Sequence, residues 1–157
     1  MNNFNELRQR ISFSKADCSG WCVASGNEAA NGIYRTLRSK GYKVFAVNPH
    51  MDMVEGDPCY ASMQAIPDGV DGAIIITSPL ITAQIVEDCV AANVPRVWMH
   101  NNTFMPSSVS EEATAVCRAN NITVIAGGCP MMFFDPFHKC MKWVLGAMGR
   151  LPAANGQ

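Results

Sequence analysis

Five short apolar, β-branched runs recur along the chain: "WCVAS", "KVFAVN", "GAIIIT", "RVWMHN" and "ITVIAG". Their apolar residues are continuous rather than alternating, which is how strands buried on both faces read. The stretches between them are long enough for helices, and most carry helical signals. After the first run, Ile33, Tyr34 and Leu37 form an apolar stripe, Arg35, Arg38 and Lys40 crowd the last turns, and Gly41 suits the position just past a helix end. After the third, Ser78 reads as an N-cap, Pro79 as the first helical residue, and Ile81, Ile85 and Cys89 as the inward stripe. After the fourth, Ser108 with Glu111 reads as a capping box ahead of Ala113, Val116 and Cys117.

The segment "PHMDMVEGDPCYASMQAIPDGVD" is the exception, broken by prolines and glycines. It predicts a loop-rich connection with a short helix around Ala61 to Ala65. Outside the runs, Phe4, Leu7 and Ile11 predict a helix over residues 1–12. Phe137, Met141, Val144, Leu145 and Met148 predict the inward face of a helix over 136–150. A methionine-rich stripe of that kind packs into a core or, failing that, forms the interface of a homo-oligomer. Strands alternating with helices require right-handed crossovers. The expected architecture is therefore α/β: one doubly wound domain over 1–157, its core within 18–128, with a mainly parallel five-stranded sheet and flanking helices.

Composition fits that picture and removes several partners. A chain of 157 residues, 48% hydrophobic and 16% charged, has the balance of one globular domain. A net charge of −1 leaves no basic footprint for nucleic acid or for an anionic membrane. No apolar run approaches the roughly 18 residues of a spanning helix, and "MNNFNELRQR" lacks the apolar core of a signal peptide, so a cytoplasmic protein is expected. Seven cysteines, an odd number scattered over strands and helices, read as reduced thiols, mostly in the core.

A doubly wound sheet binds ligands beyond the carboxyl ends of its strands, which singles out residues 25–32, 48–51, 77–82, 100–103 and 127–132. The first of these, within "VASGNEAANG", runs into a helix N-terminus, where free N–H groups and the helix dipole favour a phosphate. Gly26 permits close backbone approach and Gly32 close packing of the helix start, although the same spacing also suits a plain turn. The pattern is not the Gly-x-Gly-x-x-Gly of a dinucleotide site. The second strand ends in "VNPH", where a NAD site usually has an acid for the ribose hydroxyls. A carboxylate-free end is kinder to a phosphorylated ribose.

The stretches "VASGNEAANGIYRTLRSKGYKVFAVNP", "CYASMQAIPDGVDGAIIITSP" and "AGGCPMMFFDPFHKCMKWVLGAMGRLP" resemble the CoA-binding domain family related to the CoA-binding domain of succinyl-CoA synthetase α subunits. The likeness spans residues 18 to 152, and its most specific parts are Val-Asn-Pro after the second strand and Gly-Cys-Pro-Met after the fifth. It implies a Rossmann-like fold with CoA or an acyl-CoA lying across the strand ends. By position, Ser25, Gly26 and Asn27, with Gly32 behind them, would meet the phosphates. Asn48, Pro49 and His50 would border the adenosine-phosphate end, and Thr77, Ser78, Pro79 and Thr82 would line the other side. Cys129, Pro130 and Met131 would lie nearer the pantetheine arm.

Two positions depart from the family, which often carries basic residues where this chain has His50 and Asp57. A neutral histidine holds a 3′-phosphate less well than a fixed cation. The related synthetases also use a phosphorylated histidine in a second domain and a separate nucleotide-grasping subunit. This chain has neither, so the resemblance implies binding without catalysis of its own. The alternatives are an NAD(P)-dependent oxidoreductase and an interaction protein that has kept the fold and lost its ligand.

No catalytic or metal centre emerges from the remaining chemistry. None of His50, His100 and His138 has a carboxylate at a telling spacing, though His100 stands at a strand's carboxyl end. Cys18 with Cys22, and His138 with Cys140, do not repeat the pairing of a zinc site. Cys129 follows a strand into the expected ligand mouth, where a nearby helix N-terminus would lower its pKa and fit it for disulfide exchange with CoA. A packed thiol beside a turn proline is the alternative.

Overall fold

The computed structural model describes residues 21–24, 28–101 and 107–133, together with 140, 143 and 146–148. The five apolar runs form β1 (Trp21–Ala24), β2 (Val44–Val47), β5 (Gly72–Ile75), β6 (Arg96–Met99) and β7 (Thr123–Ala126). Neighbours among them pair in parallel. Between them lie α1 (Glu28–Ser39), α2 (Pro79–Ala91) and α3 (Glu111–Ala119).

The sheet is larger than the expected five strands. Among the described residues it has seven, in the order β3-β4-β2-β1-β5-β6-β7. The additions are β3 (Met53–Val54) and β4 (Asp57–Tyr60), both in the segment read as loop-rich. β4 runs parallel beside β2, and β3 folds back antiparallel on β4. The turn between them is Glu55–Gly56, with φ of 52° and 84°. Two consecutive positive φ angles suit a two-residue hairpin turn, because their twist matches that of the flanking strands. A two-residue strand is too short to leave any periodic signal. The short helix expected near Ala61 to Ala65 is a single 3-10 turn at Met63–Ala65.

Alternation along the strands divides the core between two faces. Ala73, Ile75, Val97, Met99 and Val124 pack with Val86 and Cys89 of α2 and Ala113 and Cys117 of α3. Ile74, Ile76, Trp98 and Ile125 pack on the other face with Ile33, Tyr34 and Leu37 of α1 and with Cys129 and Met132. Both faces are covered, which is why the strands read as unbroken apolar runs.

Helix ends follow local chemistry more closely than helix faces do. Gly41, at φ 80°, closes α1 as expected, with the Tyr42 N–H donating to the Leu37 carbonyl at 3.2 Å. In α2, Ser78 is the N-cap residue and Pro79 opens the helix. The inward stripe, however, is Thr82, Val86 and Cys89, while Ile81 is 41% exposed and Ile85 half-buried. The buried hydroxyl of Thr82 finds its partners locally, in the Ser78 carbonyl and the Thr77 hydroxyl. In α3 the cap is Ser110, whose side chain accepts from the Ala113 N–H, and not Ser108.

Residues 140, 143, 146 and 147 are helical, and Trp143 and Met148 are exposed, so Met148 does not point inward as the stripe predicted. The predicted helix over 1–12, Cys18, His138 and the inward set Phe137, Met141, Val144 and Leu145 lie outside the described residues. Cys59, Cys89, Cys117, Cys129 and Cys140 are free thiols, with Cys89, Cys117 and Cys129 buried. Among the described residues no helix is long and apolar enough to cross a membrane.

Candidate functional site

β1 lies between β2 and β5, and the helix that follows β1 covers one face of the sheet while the helix that follows β5 covers the other. A sheet wound in that way opens a crevice at the carboxyl ends of the two diverging strands. Ser25, Gly26 and Asn27 lie outside the described residues. β1 ends at Ala24 and α1 begins at Glu28, which puts that helix start at the same edge. Gly32 sits in the second turn of α1, and a Cβ built there meets nothing within 4 Å. Close packing is therefore not what its glycine provides.

The end of β5 carries a linked set of hydroxyl groups. Thr77 Oγ1 and Thr82 Oγ1 are 3.0 Å apart, and the Thr82 hydroxyl donates to the Ser78 carbonyl at 3.1 Å. The Thr77 hydroxyl also lies 3.4 Å from the Ser78 carbonyl, so either hydroxyl can donate across the pair while the other donates to that carbonyl. The Thr77 N–H donates to Ser108 Oγ at 3.0 Å, and the Ser108 N–H donates to the His100 carbonyl at 2.8 Å. Thr82, Ser108 and His100 are buried, while Ser78 and Pro79 are exposed and Thr77 is half-buried. Ser108 ties the ends of β5 and β6 together. Its sequence neighbours suggest a helix cap instead, and no local pattern distinguishes the two roles.

The end of β2 is a turn organised by Asn48. Its Oδ1 accepts the His50 N–H at 2.9 Å, its carbonyl accepts the Met51 N–H at 3.3 Å, and its own N–H donates to the Tyr60 carbonyl at 2.9 Å. The first of these is the side-chain-to-backbone bond of an Asx turn. Pro49 and His50 are exposed on it. Asp57 is turned to another task. It accepts the Tyr34 hydroxyl at 2.7 Å and pairs with Arg38. Burial and the Asp57 carboxylate together push the Tyr34 phenol well above its ordinary pKa. Arg35 bridges Glu28 at 2.7 Å and Glu55 at 2.8 Å. The hairpin that flanks the Asn48 turn is thus fastened to α1, and both arginines of that helix are occupied by acids.

The end of β7 turns through Gly127 and Gly128, with φ of 116° and 74° that other residues rarely adopt. The Trp98 Nε1–H donates to the Gly127 carbonyl at 3.0 Å and the Asn101 N–H to the Gly128 carbonyl at 3.0 Å, which pins this turn to β6. Cys129 comes next, 4% exposed, and burial pushes its thiol pKa up. That accords with a packed thiol beside the turn proline and not with one activated by a helix N-terminus. The element after Cys129 is a 3-10 turn, Pro130–Phe133, too short to focus much dipole on the sulfur. Pro130 and Met132 are buried and Met131 is half-buried. His100 is 1% exposed, its pKa is lowered by burial, and its Nδ1 has no hydrogen-bond partner among the described residues.

The family's model, described as a CoA binding domain, matches residues 22–135, and the chain belongs to that family. Over 62 residues it is 39% identical to the ADP-forming acetate–CoA ligase I of Archaeoglobus fulgidus, a match covering 40% of this chain and 9% of that protein. The chain thus spans about a tenth of the length of the curated relatives it matches. Among solved structures it is similar to a hypothetical protein from Pyrococcus horikoshii, with a TM-score of 0.69, 24% identity, and coverage of 83% of this chain and 88% of that one. It is also similar to the dinucleotide-forming acetyl-coenzyme A synthetase 1 of Ca. Korarchaeum cryptofilum in complex with phosphate and ADP. There the TM-score is 0.57 at 22% identity, over 69% of this chain and 26% of that one. Likeness at these identities establishes a shared fold.

Proposed function

We propose that this chain binds CoA or an acyl-CoA across the carboxyl ends of its parallel strands, as one domain and without catalysis of its own. Ser25, Gly26 and Asn27 at the start of α1 receive the phosphates, with Gly32 in the turn behind them. Asn48, Pro49 and His50 border the adenosine end. Thr77, Ser78, Pro79 and Thr82 line the crevice on the β5 side, and Cys129, Pro130 and Met131 flank the pantetheine arm.

The observation that carries this reading, beside family membership, is the end of β2. Residues 48–51 form a turn without a carboxylate, exposed from Pro49 to Met51, and the acid at position 57 lies level with Val44 at the other end of β2, bound to Tyr34 and Arg38. A ribose that bears a phosphate meets no fixed negative charge within that turn, whereas NAD would lack its usual acidic partner there.

A thermal-shift series with CoA, acetyl-CoA, NAD, NADP and ATP tests it, because a ligand of the folded state raises apparent stability by mass action. CoA and acetyl-CoA should raise the transition and NAD should not. A shift with NAD alone overturns the reading in favour of an oxidoreductase. No shift with any of them leaves a protein that has kept the fold without the ligand.

A further inference from the structure

His100 directly follows β6 and has its backbone fully employed. Its N–H extends the sheet by donating to the Ile75 carbonyl at 2.9 Å, and its carbonyl accepts the Ser108 N–H at 2.8 Å. Its side chain is nearly sealed from solvent, yet Nδ1 has no partner among the described residues. A buried polar atom left unpaired is unfavourable, and native proteins rarely keep one without a use for it. Burial also favours the neutral ring. In that form Nδ1 is a donor in one tautomer and an acceptor in the other.

Its position supplies the use. Strand alternation puts His100 on the same face as Trp98 and Ile76, the face covered by α1. On one side stands Thr77 at the end of β5, and on the other the Gly127–Cys129 turn at the end of β7. A CoA that runs from the Asn48 turn toward Cys129 must carry its pantetheine arm past the end of β6. The other unpartnered buried side-chain atom among the described residues, Arg96 Nη1, belongs to the opposite, amino end of the same strand.

We infer that His100 recognises the pantetheine arm, its Nδ1 pairing with one of the arm's amide groups. An amide offers both an N–H and a carbonyl, so either tautomer of the neutral ring finds a complement. The inference rests on the proposed binding of CoA and adds to it the residue that tells the arm from the nucleotide alone.

The test is the ring ¹⁵N spectrum of histidine-labelled protein titrated with CoA, acetyl-CoA and 3′-phosphoadenosine 5′-diphosphate, the same nucleotide without the arm. The His100 Nδ1 resonance should move with CoA and acetyl-CoA and stay in place with the truncated nucleotide. In parallel, His100→Phe should weaken CoA roughly 3- to 10-fold, the range of one net hydrogen bond, and leave the truncated nucleotide unchanged. His100→Gln, which restores a polar atom, should recover much of the loss. Should the phenylalanine variant not fold, the wild-type spectrum and the glutamine variant decide. CoA binding that leaves Nδ1 undisturbed overturns the inference, as does an equal loss for both nucleotides in His100→Phe. If wild-type protein binds neither nucleotide, the CoA reading itself fails and takes this inference with it.

Discussion

The Tyr34 hydroxyl donates to Asp57 Oδ2 at 2.7 Å, joining the buried face of α1 to the β3–β4 hairpin. Asp57 also pairs with Arg38, so one carboxylate at a position where the family often has a basic residue holds two residues of α1. The acid therefore secures the element that flanks the Asn48 turn. Tyr34→Phe should lower stability by about 1 to 2 kcal/mol, since the bond reaches a charged acceptor that is only partly screened. Urea midpoints for Tyr34→Phe, Asp57→Asn and the double variant would give the coupling between them. Strictly additive losses would show that the contact contributes nothing.

His50 stands exposed on the Asn48 turn, where the proposal puts the phosphorylated ribose. His50→Arg adds a permanent cation and a planar donor fork. It should tighten CoA about 3- to 10-fold through a charge-assisted bond and leave dephospho-CoA unchanged. Calorimetric titration of both ligands checks it. Equal gains for the two would mean the substitution acts through the general field.

Ser108 supplies the acceptor for the Thr77 N–H, and its own N–H is held by His100. Ser108→Ala keeps the second bond and removes the first. Leaving that amide without an acceptor should cost about 1 to 3 kcal/mol and speed Thr77 amide exchange relative to the interior of β5. Exchange measured by NMR reads this at the one residue concerned.

Burial lowers the His100 pKa in the folded state. Below the ordinary value of about 6.5, the unfolded chain then binds a proton that the folded chain refuses. The stability His100 contributes is complete above that pH and is lost as pH falls toward the folded value. The limiting slope is about 1.4 kcal/mol per pH unit. Urea unfolding between pH 7.5 and pH 5 should show this decline, and His100→Gln should flatten it. An identical slope in the variant would assign the decline to other groups.

Much of the architecture was legible in the amino-acid order, because both sheet faces are covered and caps are local. Continuous apolar runs marked β1, β2, β5, β6 and β7, and Gly41 and Pro79 marked helix ends, since each signal needs only a few neighbouring residues. The family likeness was legible for the same reason, being carried by short stretches at the strand ends. The β3–β4 hairpin, the burial of Thr82, the role of Ser108, the task of Asp57 and the isolation of His100 Nδ1 were not. Two of the contacts concerned join residues distant in sequence, which leave no local signal. Here Tyr34 meets Asp57 across 23 residues and Thr77 meets Ser108 across 31. Periodicity tells which residues share a face, but which polar groups that face can hold is decided by what the fold brings against it.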